Sequence, residues 1–341
     1  QHLRTLYPPE RLAYNWVQKY KVNKRIAIKS LLEVILRSTG IHDPPLTITP
    51  RNVKNLTIDM FDDWIKKSVF QPYVRNEDYQ QKIYVFFGSI IRNMMSDFQL
   101  LQMLQGLLQV MHNSHDMSAR FSAVIFETSI LDAFSTRLVE LKRKMGLVTG
   151  KSLKRMQQQH NTIDEYIREN SNIILHSFRD VRLLVRKCAF HIFKLLLHYF
   201  PSVFVHDFYL RATFWQLFDS TPTMRILAIQ FCSSMLASSR FNTRLDLYSR
   251  KCIPELCKLT RDESLKVTVE AIKALKLITS CSPRMVSNIN LESTFLLVFC
   301  NQPTVATEAA WLICESFMKT SEGDTVMFLS AVIKFLRSSE V

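Results

Sequence analysis

An alanine recurs at residues 189, 228, 271 and 309, each time inside the same local pattern: an apolar residue, three variable positions, the alanine, and a further apolar residue. The four copies cover 185–190, 224–229, 267–272 and 305–310, so successive alanines lie 39, 43 and 38 residues apart. Apolar residues continue behind the alanine at helical spacing, as at Ile192, Phe193 and Leu196, or Ala274, Leu275 and Ile278. A small residue at a fixed place in a recurring amphipathic helix is what two closely approaching helices require. A single helix pair cannot bury its own apolar face, so the units must stack on one another.

The period matches that of HEAT and armadillo repeats, about 40–47 residues, and predicts an all-α chain: a HEAT-type helical-repeat solenoid, an α–α superhelix. Only 6 of 341 residues are glycine, too few for phosphate-cradling loops or a turn-rich β protein. Second apolar helices are expected over 203–218 and 286–299, with Pro201, Pro222, Pro254, Pro283 and Pro303 near helix starts or connections. The first half is less regular. Helices are expected over 14–38, ended by Thr39, Gly40 and a loop with Pro44 and Pro45, and over 56–67, 78–95, 99–112, 119–141 and 151–177, with an interruption at 145–150. No linker is rich enough in Pro, Gly or Ser to form a free hinge. The expected organisation is one array in two regions, 1–175 with long basic helices and 176–341 with the regular repeats. The array reads as unfinished at Val341, so a longer native protein is expected.

The chain carries a net charge of +14 and a pI near 9.5, a field that attracts polyanions. Lys19, Lys21, Lys24, Arg25 and Lys29 follow one another without an acid among them. Arg137, Lys142, Arg143, Lys144, Lys151, Lys154 and Arg155 form a second run interrupted by Glu140, and Lys66 and Lys67 form a small third patch. Such densities can neutralise several phosphates of double-stranded DNA in a salt-sensitive, sequence-independent way. No aromatic interleaving suggests base stacking, so contact is expected at the backbone rather than the bases. A solvated basic face, or one that binds an acidic peptide, is the alternative.

Catalytic chemistry finds no foothold. There is no Walker loop, GxGxxG, HExxH, GxSxG or CxxC. His112, His115 and Asp116 form the best metal candidate, but they lack further ligands and read as a helix-end loop. His191 and His198 read as core-edge residues, and carboxylate pairs such as Asp62–Asp63 and Asp164–Glu165 as solvated faces. The seven cysteines all lie from Cys188 onward at apolar helical positions and read as reduced core thiols. No enzyme activity, metal, cofactor or small-molecule substrate is expected. No apolar run reaches the ~18–20 residues of a membrane span; the richest, 193–205, is broken by His198 and Pro201, and no leader peptide is evident.

Several short motifs, in order and at nearly equal spacing, resemble the stromalin (STAG, stromal antigen) subunits of cohesin. Trp16–Val17–Gln18–Lys19–Tyr20–Lys21 with Arg25–Ile26–Ala27 is similar to the family's opening helix. Phe178, Arg179 and Asp180 through Arg186 match the start of the stromalin conserved domain, which would cover about 176–260. Asp207–Phe208–Tyr209–Leu210 with Trp215 and Asp219 resembles the D-S-Y-L…G-W…H-D helix. Leu245–Asp246–Leu247–Tyr248 resembles L-E-L-F, and Val269–Glu270–Ala271–Ile272 resembles A-V-x-A-I.

The resemblance implies a non-enzymatic subunit of nuclear chromosomes that binds a kleisin, or a substitute linear-motif partner, and supports DNA association. Its divergence implies a specialised paralogue, for example a meiotic one. It further implies a pocket for peptides of Phe-x-Phe or Tyr-x-Phe type, made here by Phe178, Arg179, Asp207, Trp215 and Lys251. Phe178 stands where the family has Tyr, and Lys251 where it has Arg, with Arg250 able to substitute if the register slips by one. Phe214 replaces the Gly before the family's Trp and is expected to crowd the groove and alter peptide preference. A generic HEAT adaptor or transport receptor is the competing reading, and a packed core tryptophan the competing reading of Trp215.

Overall fold

A computed structural model of the chain describes residues 8–41, 53, 55–68, 77–147, 149–238, 245–286, 291–321 and 323–338. The expected loop at Pro44 and Pro45 lies outside them. Helices and turns account for the described residues, and no strand occurs among them. Two compact units divide between Phe200 and Pro201, so the segment 176–260 contributes to both.

The first unit, residues 1–200, opens with α1 (Pro9–Val22) and α2 (Lys24–Ser38). The continuous helix expected over 14–38 is broken at Asn23, whose backbone is extended (φ −144°, ψ 95°) and whose side chain accepts a 3.2 Å bond from Ile26 N, capping α2. Trp16 Nε1 donates to the Ala27 carbonyl at 2.8 Å and ties the two helices into a hairpin. α3 (Ile58–Lys66), α4 (Glu77–Met94), α5 (Phe98–His112), α6 (Met117–Met145), α7 (Lys151–Ser177) and α8 (Leu183–Tyr199) follow. α1 packs on α4, α4 on α6 and α6 on α8, the alternate-helix stacking of a solenoid. Gly150, at φ +72°, makes the turn into α7 in a conformation that side chains disfavour.

The second unit, residues 201–341, contains α9 (Pro201–Phe204), α10 (Asp207–Trp215), α11 (Pro222–Ala237), α12 (Asp246–Leu259), α13 (Leu265–Cys281), α14 (Pro283–Val286), α15 (Glu292–Phe295), α16 (Pro303–Thr320) and α17 (Thr325–Ser338). Residues 216–218 and 296–299 extend α10 and α15 as 3-10 turns. The expected helix over 203–218 divides at 205–206 and tightens at its end; of the helix expected over 286–299, residues 287–290 lie outside the described residues. Pro254 sits inside α12 rather than at a connection, which leaves the Arg250 carbonyl without an i+4 donor.

The alanine phase is strict. Ala189, Ala228, Ala271 and Ala309 are each the seventh residue of their helix, and each is 0% exposed. Within the second unit α11 packs on α13 and α13 on α16, so three of the four alanines lie in successive stacked helices.

Candidate functional site

A groove of about 330 Å³ opens between α10 and α12. Its α10 wall is Asp207, Leu210, Arg211, Phe214 and Trp215, and its α12 wall is Leu247, Tyr248 and Lys251. Each wall follows from helical spacing, since residues three and four apart share a face. His206 starts α10, its Nδ1 accepting from Phe208 N at 3.3 Å. Asp207, in the first turn, complements the helix dipole.

The floor is fixed by a buried polar contact. Tyr248 OH lies 3.1 Å from Thr213 Oγ1 and 3.0 Å from Cys232 Sγ, which holds its ring in place in the lining of the groove. Burial, then the neighbouring Cys232 and Cys252, push the phenol well above its ordinary value, and it stays neutral.

Trp215 is 56% exposed and so is not a packed core tryptophan. It belongs to a ring cluster with Phe214 at 5.9 Å and Phe218 at 5.8 Å between centroids. Phe214 lines the groove rather than closing it. Lys251 lines it too, whereas the neighbouring Arg250 does not. The arrangement offers an aromatic wall for apolar side chains, two exposed cations (Arg211 and Lys251) and one exposed carboxylate (Asp207). It sets apolar and charged contacts side by side and contains no nucleophile–base pair.

Of the five residues expected at a peptide pocket, Asp207, Trp215 and Lys251 come together here. Phe178 and Arg179 belong to the first unit. Phe178 is 2% exposed, its ring 5.7 Å from Phe190 and 5.8 Å from Phe193; this is a core position with no face for a ligand. Arg179 is exposed beside it. Leu210, Arg211, Leu247 and Tyr248 were not foreseen. For the α10 pair, the available signal was helical spacing: Leu210 and Arg211 lie three and four residues after Asp207, and Arg211 lies four before Trp215.

The basic residues are surface residues. Lys19, Lys21, Lys24, Arg25 and Lys29 surround the α1–α2 corner, and Lys142, Arg143, Lys144, Lys151, Lys154 and Arg155 surround the α6–α7 turn, all exposed. Lys24 reaches Asp97 at 3.3 Å and stands 5.3 Å over the Tyr20 ring, and Arg137 pairs with Glu140 at 3.1 Å. Lys66 pairs loosely with Asp63 at 3.7 Å, beside exposed Lys67. Charge is unevenly divided: residues 1–200 hold 29 Lys and Arg against 17 Asp and Glu, and residues 201–341 hold 15 against 13.

The His112–His115–Asp116 string has structural employment. Asp116 Oδ1 caps α6 through Ser118 N at 2.7 Å and Ala119 N at 3.1 Å. His115 Nδ1 lies 2.7 Å from Asp62, which also accepts from Ser114 Oγ. Burial works to raise the Asp62 carboxyl, but these bonds outweigh it and hold it below the usual range. Burial, then the nearby His176, lowers His112 to about 4. Among the described residues no group of three or more His, Cys, Asp or Glu is placed to hold a metal, and no helix is long and apolar enough to cross a membrane.

No family model matches the chain. It is 20% identical to cohesin subunit SA-1 of Xenopus laevis over 329 residues, covering 86% of this chain and 26% of that protein. It is 19% identical to cohesin subunit scc-3 of Caenorhabditis elegans over 341 residues, covering 90% of this chain and 31% of that one. The chain therefore spans between a quarter and a third of these curated relatives. The solved structure of cohesin subunit Scc3 from Z. rouxii, residues 88–1035, superposes with a TM-score of 0.77 at 12% identity, over 98% of this chain and 45% of that one; this likeness speaks for the fold. Whole-chain comparison thus finds the resemblance that motif order carries: over most of its length the chain is similar to cohesin subunits SA-1 and scc-3.

Proposed function

We propose that the chain is a non-enzymatic, chromosome-associated scaffold of stromalin type, acting in the nucleus in chromatid or homologue cohesion. Its second unit receives an aromatic-x-Phe motif of a kleisin or a substitute partner, and its first unit holds double-stranded DNA by the phosphates. The observation that carries this reading is the α10–α12 groove, which gathers the three residues that motif order assigned independently: Asp207, Trp215 and Lys251. An aromatic anchor there gains burial and edge-to-face contact, roughly 0.5–1.5 kcal/mol for each aromatic pair beyond area. The uneven charge supports the division of labour between units.

The test is titration with labelled aromatic-x-Phe peptides drawn from kleisins. Trp215→Glu is expected to lower affinity by about 30-fold or more, as for an interface anchor, with the helical circular dichroism unchanged. Unaltered affinity would remove the groove from the account. A DNA titration at two salt concentrations separates this reading from a plain adaptor or transport receptor: salt-insensitive or absent binding favours the adaptor.

A further inference from the structure

Beneath the groove between α10 and α12 a chain of hydrogen bonds runs in one direction. Thr213 Oγ1 gives its one hydrogen to the Leu210 carbonyl at 2.8 Å, and a carbonyl can only accept. The Thr213 oxygen therefore meets Tyr248 OH, 3.1 Å away, as an acceptor, and the phenol is the donor. With its own hydrogen spent on Thr213, the phenol oxygen accepts from the Cys232 thiol at 3.0 Å. Cys252 Sγ, 3.9 Å from Cys232 Sγ, has a longer and weaker claim on that thiol hydrogen. The order is thus Cys232 of α11 to Tyr248 of α12, Tyr248 to Thr213 of α10, and Thr213 to Leu210.

Thr213 and Cys232 are fully buried, and Tyr248 is buried too. In such surroundings each bond is stronger, and breaking one leaves an unpaired polar atom out of water. The chain of bonds also reaches the groove from both sides. Leu210 belongs to the α10 wall and Tyr248 to the α12 wall, and Thr213 comes directly before the Phe214–Trp215 pair. One bond, from Tyr248 to Thr213, therefore ties wall to wall. Apolar packing is non-directional, whereas a hydrogen bond constrains distance and angle together.

We infer that Tyr248 is the positioning residue of the groove: its hydroxyl, held to Thr213, fixes the separation of the α10 and α12 walls and so the size of aromatic ring admitted between them. This rests on the reading of the groove as an aromatic-x-Phe site and adds the group that sets its selectivity. Walls held in place leave little to order when a peptide arrives, which favours the ring that fits over a larger one.

The measurement is anisotropy of two labelled peptides with the full chain at 10 °C, alike except that the first aromatic residue is Phe in one and Trp in the other. The unaltered chain is expected to prefer the Phe-x-Phe peptide by about tenfold, as for overfilling of a fixed site. Tyr248→Phe keeps the ring and removes the donor, and Thr213→Val removes the acceptor. Each should weaken Phe-x-Phe binding about fivefold, the factor for one neutral hydrogen bond, and narrow the preference between peptides to about threefold or less. The double variant should go no further than either single one, because both changes remove the same bond. Loss of folded chain lowers both apparent affinities by one factor and leaves their ratio unchanged, so the ratio reads positioning apart from stability. Should circular dichroism show Tyr248→Phe unfolded, Thr213→Val carries the comparison. Equal binding of the two peptides by the unaltered chain, an unchanged ratio in a folded variant, or effects that add in the double variant would overturn the positioning role while the groove stands as a peptide site. Failure of the unaltered chain to bind either peptide would remove the groove reading, and this role with it.

Discussion

Arg225 joins one repeat to the next: its Nη2 lies 2.8 Å from Asp262 Oδ1, while its Nη1 donates to the carbonyls of Asp219 at 2.7 Å and Ser220 at 3.2 Å. Arg120 does the same in the first unit, reaching Asp180 with Nε at 2.5 Å and the carbonyls of Ser114 and His115 with Nη1 at 3.0 and 2.9 Å. In each case an arginine in the first turn of a helix satisfies the carbonyls of the preceding turn and pairs with the acid that opens the following repeat. The packing supplies shape, and the arginine sets the phase of one repeat against the next.

Replacing Arg225 by Met strands a mostly buried carboxylate and two carbonyls. The expected loss is about 3–5 kcal/mol of unfolding free energy, read as a lower urea midpoint. Arg225→Met combined with Asp262→Leu should cost clearly less than the two single losses added together, because the second change removes the stranded charge. Simple additivity would mean that the pair is not coupled.

Ala271 is fully buried in α13, the helix that packs on both α11 and α16. Ala271→Leu inserts three carbons where two helices approach, and is expected to cost about 1–3 kcal/mol. Ala228→Leu should behave alike, because both alanines occupy the seventh position of stacked helices. A neutral Leu at either position would mean that the recurrence of Ala does not reflect close helix approach.

How much of this was legible follows from which constraints are local. The alanine phase could be read because a small residue at a helix–helix contact is needed in every copy. The six-residue spacing Asp180–Arg186 and Asp219–Arg225 was equally visible and went unread; in the structure Arg186 and Arg225 each donate back to the carbonyl of the Asp. The break at Asn23 was not legible, because Val22, Lys24 and Arg25 all accept a helix and only the Asn cap decides. Leu247 and Tyr248 on the α12 wall of the groove were unread because periodicity marks the faces of a helix without saying which neighbour each face meets. Phe178 matched a motif in sequence, and a match of residue type does not separate a core ring from a ligand-facing one.

Glu127, in α6, is buried with neither carboxylate oxygen hydrogen-bonded, and burial raises its carboxyl to about 8. Nearby Tyr166 is raised by its own burial first and by Glu127 second. The folded state therefore binds this proton more tightly than the unfolded chain does. Stability from this group is present below about pH 4.5 and falls as pH rises from there to about 8. The isosteric Glu127→Gln should remove that slope, leaving the melting temperature little changed near pH 5 and raising it by several degrees at pH 8. Equal pH profiles for the two proteins would mean that Glu127 is not held neutral.

Phe178 separates the structural share of the stromalin resemblance from the recognition share. Its ring is enclosed by Phe190 and Phe193 at 5.7 and 5.8 Å, so truncation leaves a cavity rather than an emptied binding surface. Phe178→Ala is expected to cost about 3–5 kcal/mol of stability and to leave peptide affinity within a factor of two at 10 °C, provided the variant is folded there. Lys251→Ala, on an exposed side chain, should do the reverse: an unchanged melting temperature and weaker binding of peptides with an acidic flank. Thermal melts paired with peptide titrations at low temperature read both. Lost peptide affinity in Phe178→Ala at an unaltered melting temperature would return that ring to the binding surface and reassign part of the groove.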